Sequence, residues 1–228
     1  MIEVIYEDNH LIAVNKRASD IVQGDKTGDV PLSDQVKKYL KEKYNKPGEV
    51  FCGVIHRLDR PVSGVVLFAK TDKALSRMNA LFRTRDVQKT YWAITGNKPQ
   101  EESGLLVHWL RKNEKTNKSY ATKFEVDGAL RSETAYKMIA ASDRYFLLEV
   151  LPHTGRHHQI RVQLATMGCV IKGDLKYGAP RSNKDASICL HARKLEFMHP
   201  VKKEPVTIIA HVPDDPLWKA MDSAAAAE

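Results

Sequence analysis

The sequence predicts an α+β fold built on a large mixed, mainly antiparallel sheet with flanking helices. Many short segments have the pattern of strands, whereas few have the pattern of helices. Strands and helices also fail to alternate regularly along the chain, as they would in a parallel α/β fold. We expect one domain at 1–222, followed by a terminal tail at 223–228 whose alanines show no core pattern.

The strand predictions rest on apolar runs, or on alternation of apolar and polar residues, which is typical of a half-buried strand. Gly, Pro, Asn and Asp residues separate these runs as turn formers. The charged stretch 111–118 is expected to be a solvated loop or hairpin tip. The expected strands are 4–6, 11–14, 50–55, 64–69, 89–96, 103–110, 132–139, 145–151, 190–197 and 206–212.

Helices are predicted where apolar residues recur every three to four positions. A helix at 29–44 would hold Pro31 in its first turn, where a missing N–H does no harm. A second helix would follow Thr71 or Asp72, either of which can cap it. A third helix is expected at 155–167.

The composition indicates a protein that binds polyanions. Lys and Arg number 36 against 28 Asp and Glu, giving a net charge of +8 and a pI near 9.3. This balance favours nucleic acid or an anionic membrane as partner. No segment approaches the roughly 20 apolar residues that span a bilayer, and the first residues lack a signal-peptide pattern. We therefore expect a cytoplasmic protein with no membrane association.

Cysteine usage argues against disulfide and zinc chemistry. The three cysteines, Cys52, Cys169 and Cys189, are widely spaced and form no CxxC pair. We expect three reduced thiols, most of them buried.

An aspartate lies in a rigid loop between two predicted strands. Segment 56–64 reads His-Arg-Leu-Asp-Arg-Pro-Val-Ser-Gly, so Arg57 and Arg60 flank Asp59. Pro61 fixes φ, and the glycine that ends the segment permits a tight return. The arginines should keep the carboxylate ionised, and an oriented carboxylate can act as a nucleophile or a base. From these residues alone, a structural ion pair is an equally good interpretation.

A second segment, 88–93, pairs a cation with an aromatic ring. Alternation along a strand places Lys89 and Tyr91 on the same face. There they could hold a phosphate and stack on a base. The alternative is a half-buried edge strand whose tyrosine packs against the core.

A third segment combines arginines with histidines on the predicted helix 155–167. His157 and His158 stand four and three residues before Arg161, and both spacings put side chains on neighbouring positions of one surface. With His153 they could suggest a metal-dependent hydrolase. The segment holds no carboxylate and no HExxH motif, so a helix that grips phosphates through Arg156 and its neighbours is favoured.

Taken together, these segments resemble the RluA family of pseudouridine synthases. The resemblance runs in order along nearly the whole chain. It is carried by residues 6–8, 14–16, 56–59 with 63–64, 89–91, 155–156 with 158–161, 173–174 with 177–178, and 199–200.

The resemblance implies an RNA pseudouridine synthase that isomerises a flipped-out uridine of tRNA or rRNA in a cleft on the sheet. Asp59 would be the catalytic nucleophile. Tyr91 would stack on the target base and assist proton transfer, and Arg161 would pair with Asp59. Arg57 would help to displace or stabilise the flipped nucleotide. The predicted RNA-binding set is Arg57, Arg60, Lys89, Arg156 and His158.

The chain departs from the family pattern at three places. Val62 stands where Thr is usual, and Arg17-Ala18-Ser19 stands where Pro-x-Gly usually follows the lysine. His157 stands where Ser or Thr is frequent. The first and third departures lie near the presumed site, so they could shift the choice of substrate, but none removes a residue assigned to the chemistry.

The expected protein is a monomer that needs no metal and no small-molecule cofactor, since isomerisation requires no redox change or energy input. The alternative is a non-catalytic RNA-binding protein that uses the same basic cleft. The presence of Asp59, Tyr91 and Arg161 together favours the enzyme, because a pure binder would not require them.

Overall fold

The computed structural model describes residues 2–25 and 27–227. In chain order the strands are β1 (Val4–Glu7), β2 (Leu11–Lys16), β3 (Gly53–Val54), β4 (Ser63–Ala69), β5 (Val87–Thr95), β6 (Ser103–Asn113), β7 (Lys118–Thr122), β8 (Leu130–Ala141), β9 (Phe146–Pro152), β10 (Leu190–Met198) and β11 (Pro205–Ile209). The helices are α1 (Leu32–Lys43), α2 (Asp72–Thr84), α3 (Gln159–Thr166) and α4 (Pro216–Ala225).

The chain divides into two compact units. Unit 1 holds the described residues up to Gln88 together with Ala192–His211, and unit 2 holds Lys89–His191 with the described residues from Val212 onward. The strands are mostly antiparallel, and the prediction of an α+β fold is confirmed. That residues 1–222 form one catalytic domain stays a prediction.

Unit 1 is built on the strand order β1–β2–β4–β10–β11, with β3 paired to the end of β4. All seven residues of β4 are buried, as expected for an apolar central strand. Helix α2 begins at a Thr71 cap, whose hydroxyl accepts from the Ala74 N–H at 3.2 Å, and it buries Met78 in the core. This core fixes the two ends of the loop that carries Asp59.

Unit 2 is built on the antiparallel order β5–β9–β8–β6–β7. On the other side of β5, the Ile94 N–H donates to the Cys189 carbonyl at 2.9 Å. Helix α3 packs on β6, β7, β8 and β9, and α4 packs on β8. Every residue of α3 from Gln159 to Leu164 is buried.

Several predicted bounds were wrong. Helix α3 begins at Gln159 instead of 155, because His158 adopts a left-handed conformation (φ 53°) that no helix can include. The strand expected at 50–55 has only two residues. The hairpin tip expected at 111–118 is confirmed, since β6 and β7 pair there around a short exposed turn.

The C-terminal prediction also needs correction. Helix α4 was not predicted, and it runs through Ala225, so the tail expected at 223–228 begins inside it. Residues 1 and 228 of the predicted ranges lie outside the described residues. None of the helices in the described part of the chain has the length and apolar character needed to cross a bilayer.

Candidate active site

The loop that carries Asp59 is clamped to unit 1 by backbone hydrogen bonds. It joins β3 to β4 and turns where the Val62 N–H donates to the Asp59 carbonyl at 3.0 Å. The Ser19 N–H donates to the Arg60 carbonyl at 2.9 Å. Asp59 itself is half-buried, and its backbone carbonyl is held in this turn.

The side chain of a buried lysine, Lys16, also holds this loop. The Nζ atom of Lys16 donates to the carbonyls of Arg60 at 3.0 Å and Val62 at 2.7 Å, and to its own neighbour Arg17 at 2.9 Å. Lys16 is only 1% exposed. Three backbone acceptors satisfy its three donors, and two of them bracket Pro61 directly after the aspartate. The rigidity expected from Pro61 is therefore reinforced by a side chain at the end of β2.

Lys16 also affects the electrostatics of the loop. Burial lowers the pKa of Lys16 to about 8, and the negative charges of Asp20 and Asp59 oppose part of that effect. Lys16 lies in the range 14–16 that carries the family resemblance, but the sequence predicts no role for it. Arg60, which follows Asp59 in the chain, pairs with Asp29 and Thr27 at the surface.

Gly64 ends the loop at a position that only glycine can occupy. Its φ is +115°, and a Cβ atom added there would lie 2.3 Å from the Ala192 carbonyl oxygen of β10. The predicted tight return is thus confirmed: β4 begins in contact with the backbone of β10, which fixes where the loop leaves the sheet.

In unit 2, Tyr91 lies on β5 opposite Val150 of β9 and is half-buried, whereas Thr90 on the other face is buried. The Lys89 Nζ lies 3.7 Å from the point where a Gly155 Cβ would stand. The strand and the turn before α3 therefore bring Lys89 beside the segment that carries Arg156.

That turn is fixed by one glutamine. The Gln159 Oε1 accepts from the Thr154 hydroxyl at 2.7 Å and from the Arg156 N–H at 3.0 Å. Its Nε2 donates to the Glu133 carbonyl and to Thr134, both at 2.9 Å. Arg156 is left exposed on a fixed backbone, in a position suited to phosphate contact.

Arg161 lies inside unit 2, and its two-pronged contact is made with Asp174. The Arg161 Nε lies 2.7 Å from Asp174 Oδ2, and Nη2 lies 2.8 Å from Oδ1. The third nitrogen, Nη1, lies 2.9 Å from His158 Nε2. The prediction that His158 and Arg161 lie side by side is confirmed. The prediction that His157 and Arg161 are one helical turn apart is wrong, because His157 precedes α3.

His158 is buried, and its other nitrogen, Nδ1, lies 2.9 Å from the Tyr177 hydroxyl. Both nitrogens of this predicted RNA-binding residue thus face protein groups. His157 stacks on the His158 ring at 3.7 Å and contacts Ser119. Across residues 2–25 and 27–227, no group of three or more His, Cys, Asp or Glu side chains could hold a metal ion.

A family model described as RNA pseudouridylate synthase matches residues 10–166. This chain belongs to that family. The matched range contains Asp59, Tyr91 and Arg161, and it ends before Asp174. The resemblance to RluA-type pseudouridine synthases is confirmed, and the protein is an isomerase.

Relatives within the pseudouridine synthase family cover most of the chain. A ribosomal large subunit pseudouridine synthase C of Rickettsia typhi is 33% identical over 216 residues, 92% of this chain and 68% of the relative. A tRNA pseudouridine synthase C of Vibrio cholerae is 31% identical over 239 residues, 97% of this chain and 94% of the relative.

Solved structures support the fold. Human RNA Pseudouridylate Synthase Domain Containing 4 superposes with a TM-score of 0.80 at 24% identity, covering 98% of this chain and 93% of the other. The human Domain Containing 1 protein gives a TM-score of 0.76 at 24% identity, covering 97% and 87%.

Proposed function

We propose that this pseudouridine synthase isomerises a flipped-out uridine in tRNA or rRNA, with Asp59 as the nucleophile. The names of the relatives from Rickettsia typhi and Vibrio cholerae supply the two classes of RNA. The observation that carries the proposal for Asp59 is its loop: Lys16 fixes the two carbonyls around Pro61, so the backbone directly after the aspartate is held in one conformation.

The reaction needs no external reagent. The N1–C1′ glycosidic bond breaks, the base rotates, a C5–C1′ bond forms, the hydrogen on C5 leaves as a proton, and N1 takes up a proton, so the product is an isomer of uridine. The Asp59 carboxylate can serve by attack at C1′, by attack at C6, or by assisting deprotonation of the sugar. A uridine within a paired stem must first leave the stack, at a cost of roughly a few kcal/mol.

For the other site residues we propose the roles that the family resemblance implies. Tyr91 would stack on the extruded base and assist proton transfer, and Arg161 would support the reacting carboxylate. The exposed Arg57 would help to displace or stabilise the flipped nucleotide, and the exposed Arg156 would contact phosphates and offset the cost of extrusion. The buried position of His158 favours a role in holding Arg161 over direct contact with RNA.

Release of tritium from RNA labelled at uridine C5 tests this function. We expect the protein to release tritium from tRNA or rRNA of cells that lack its gene, and chelators should not reduce the rate. Release from one RNA class and not the other would identify the substrate. No release from either class, with RNA binding retained, would favour the non-catalytic alternative.

The Asp59→Asn variant tests the nucleophile. The amide keeps the shape and loses the charge, so the rate should fall on the order of a thousandfold or more while RNA binding stays close to normal. Asp34→Asn, at an exposed carboxylate on α1 of the same unit, is the matched control and should keep the wild-type rate. Near-normal turnover by Asp59→Asn would show that another group is the nucleophile.

A further inference from the structure

Asp174 holds Arg161 by both oxygens at the centre of unit 2. The side chains are 1% and 6% exposed, and the two N–O distances are 2.7 and 2.8 Å. The Asp174 backbone is fixed as well, since its carbonyl accepts from the N–H groups of Tyr177 and Ala179, both at 3.0 Å. Gly173 precedes it at φ +87°, where a Cβ would lie 2.7 Å from the Ser187 carbonyl oxygen. The acceptor is thus immobile.

The opposite edge of the guanidinium is held by a second chain of contacts. Arginine can only donate, so His158 Nε2 accepts from Arg161 Nη1, and the proton of the neutral imidazole lies on Nδ1. Nδ1–H then donates to the Tyr177 hydroxyl, which also accepts from the Ser119 N–H at 2.9 Å. The Tyr177 ring lies against the guanidinium, 5.2 Å from its carbon to the ring centroid.

This arrangement fixes all three guanidinium nitrogens and therefore the plane of the group. A buried ion pair is weak evidence for stability, because removing two charges from water offsets most of their attraction. The ion pair has a stronger effect on the orientation of Arg161, because a bidentate contact permits a single orientation of the planar guanidinium.

We propose that Asp174, assisted by His158 and Tyr177, is a positioning residue for Arg161. It sets the direction in which the guanidinium presents its remaining N–H bonds during the isomerisation. The inference rests on the proposed function, which assigns Arg161 to the reaction. Asp174 acts only through Arg161 and touches no reacting atom.

Asp174→Asn is the direct test. Asn keeps the size of the side chain but places an NH2 group opposite one N–H donor of the Arg161 guanidinium. Two donors cannot bond to each other, so Arg161 must reorient. We expect the single-turnover rate at saturating RNA to fall on the order of a hundredfold, as for a misplacement of about 1 Å. The Kd for RNA should stay within about twofold. Asp185→Asn, at an exposed carboxylate in the loop after Asp174, is the control and should keep the full rate.

A double-mutant cycle separates positioning from general damage. In an Arg161→Ala background, Asp174→Asn should lower the rate by less than twofold further, because the group it positions is gone. Losses that multiply in the double variant would overturn the inference. So would an Asp174→Asn single variant with the wild-type rate.

Tyr177→Phe covers the case in which Asp174→Asn fails to fold. It keeps the ring and removes the hydroxyl that orients His158, so it should give a smaller rate loss that also disappears in the Arg161→Ala background. An unchanged rate for Tyr177→Phe would count against the inference. A wild-type protein without tritium release would contradict the proposed function itself, whereas an active wild type with an unaffected Asp174→Asn would contradict this inference alone.

Discussion

Ser19 occupies the backbone position that the family usually gives to glycine. Its φ is 78°, in the left-handed region where a side chain costs roughly 1 kcal/mol or more. Ser19 is exposed, and its N–H holds the Arg60 carbonyl next to Asp59. We expect Ser19→Gly to raise the free energy of unfolding by about 0.5–1 kcal/mol, since relief of strain exceeds the added entropy of the unfolded chain. Chemical denaturation would measure the change.

The matched control for this prediction is Ser19→Ala. Alanine loses the hydroxyl but keeps the Cβ and the strain, so it should not stabilise the protein. Equal stabilisation by both variants would mean that the hydroxyl, not the backbone conformation, is unfavourable at this position.

The contacts of Lys16 and Asp174 could not be predicted from the sequence. The Asp59 loop was found because its cations, proline and glycine stand side by side in the chain. The acceptors of Lys16 on Arg60 and Val62 lie 44 and 46 residues away, and Asp174 lies 13 residues from Arg161. A local sequence pattern does not show partners this far apart. A lysine at a strand end is therefore expected to be solvated, even where the structure buries it.

At the scale of elements, Glu7 ties β1 to α1 and to the residue after β4. Its carboxylate accepts from Lys43 at 2.7 Å, from Lys70 at 2.8 Å and from the Tyr44 hydroxyl at 2.6 Å. Burial alone would raise the pKa of Glu7, but these hydrogen bonds outweigh it and lower the pKa from 4.5 to about 2. The charged form is therefore the one that the fold prefers.

A pKa lowered by folding adds stability that is complete above the unfolded value and is lost as the pH falls. The difference in unfolding free energy between the wild type and Glu7→Gln should be about 2 kcal/mol at pH 6, allowing for the part-exposed Lys43. It should shrink steadily between about pH 4.5 and pH 2, as followed by denaturation at several pH values.

The control for this element is Glu42→Gln on α1, where the carboxylate is 67% exposed. Its stability difference from the wild type should stay near zero across the same pH range. A Glu7→Gln difference that does not change with pH would show that the contacts of Glu7 do not depend on its charge.

Helix α3 shows why element bounds were harder to predict than element types. Apolar spacing correctly indicated a helix after Gly155, and His158 and Arg161 do meet. The start was misplaced because the left-handed backbone of His158 is set by its partners Tyr177 and Arg161, not by local propensity. Arg161 was expected on a functional surface beside an apolar face, yet it is buried together with the other residues of α3 up to Leu164, where Asp174 supplies the opposite charge.

At the scale of the whole molecule, the excess of positive charge is the property that composition alone could predict. The net charge is +8, and three of the predicted RNA-binding cations, Arg57, Arg60 and Arg156, are exposed, while Lys89 is half-buried. Charges that meet phosphates release condensed counterions, so the affinity must depend on salt in proportion to the number of contacts. This dependence distinguishes a surface that binds the backbone from a charge that only keeps the protein soluble.

RNA binding should therefore weaken steeply with salt. Four phosphate contacts, at about 0.7 to 0.9 counterions each, give a slope of roughly −3 for the logarithm of the binding constant against the logarithm of the salt concentration. Arg156→Gln should make the slope shallower by about one, because it removes one contact, and it should weaken binding similarly for all RNA sequences.

Lys38→Gln, at a lysine of α1 that is 76% exposed, removes the same charge outside the predicted set and should leave the slope unchanged. Titrations from about 50 to 200 mM salt would measure both slopes. Equal effects of the two variants would mean that total charge drives binding, and a flat response in the wild type would contradict a phosphate-binding role for these cations.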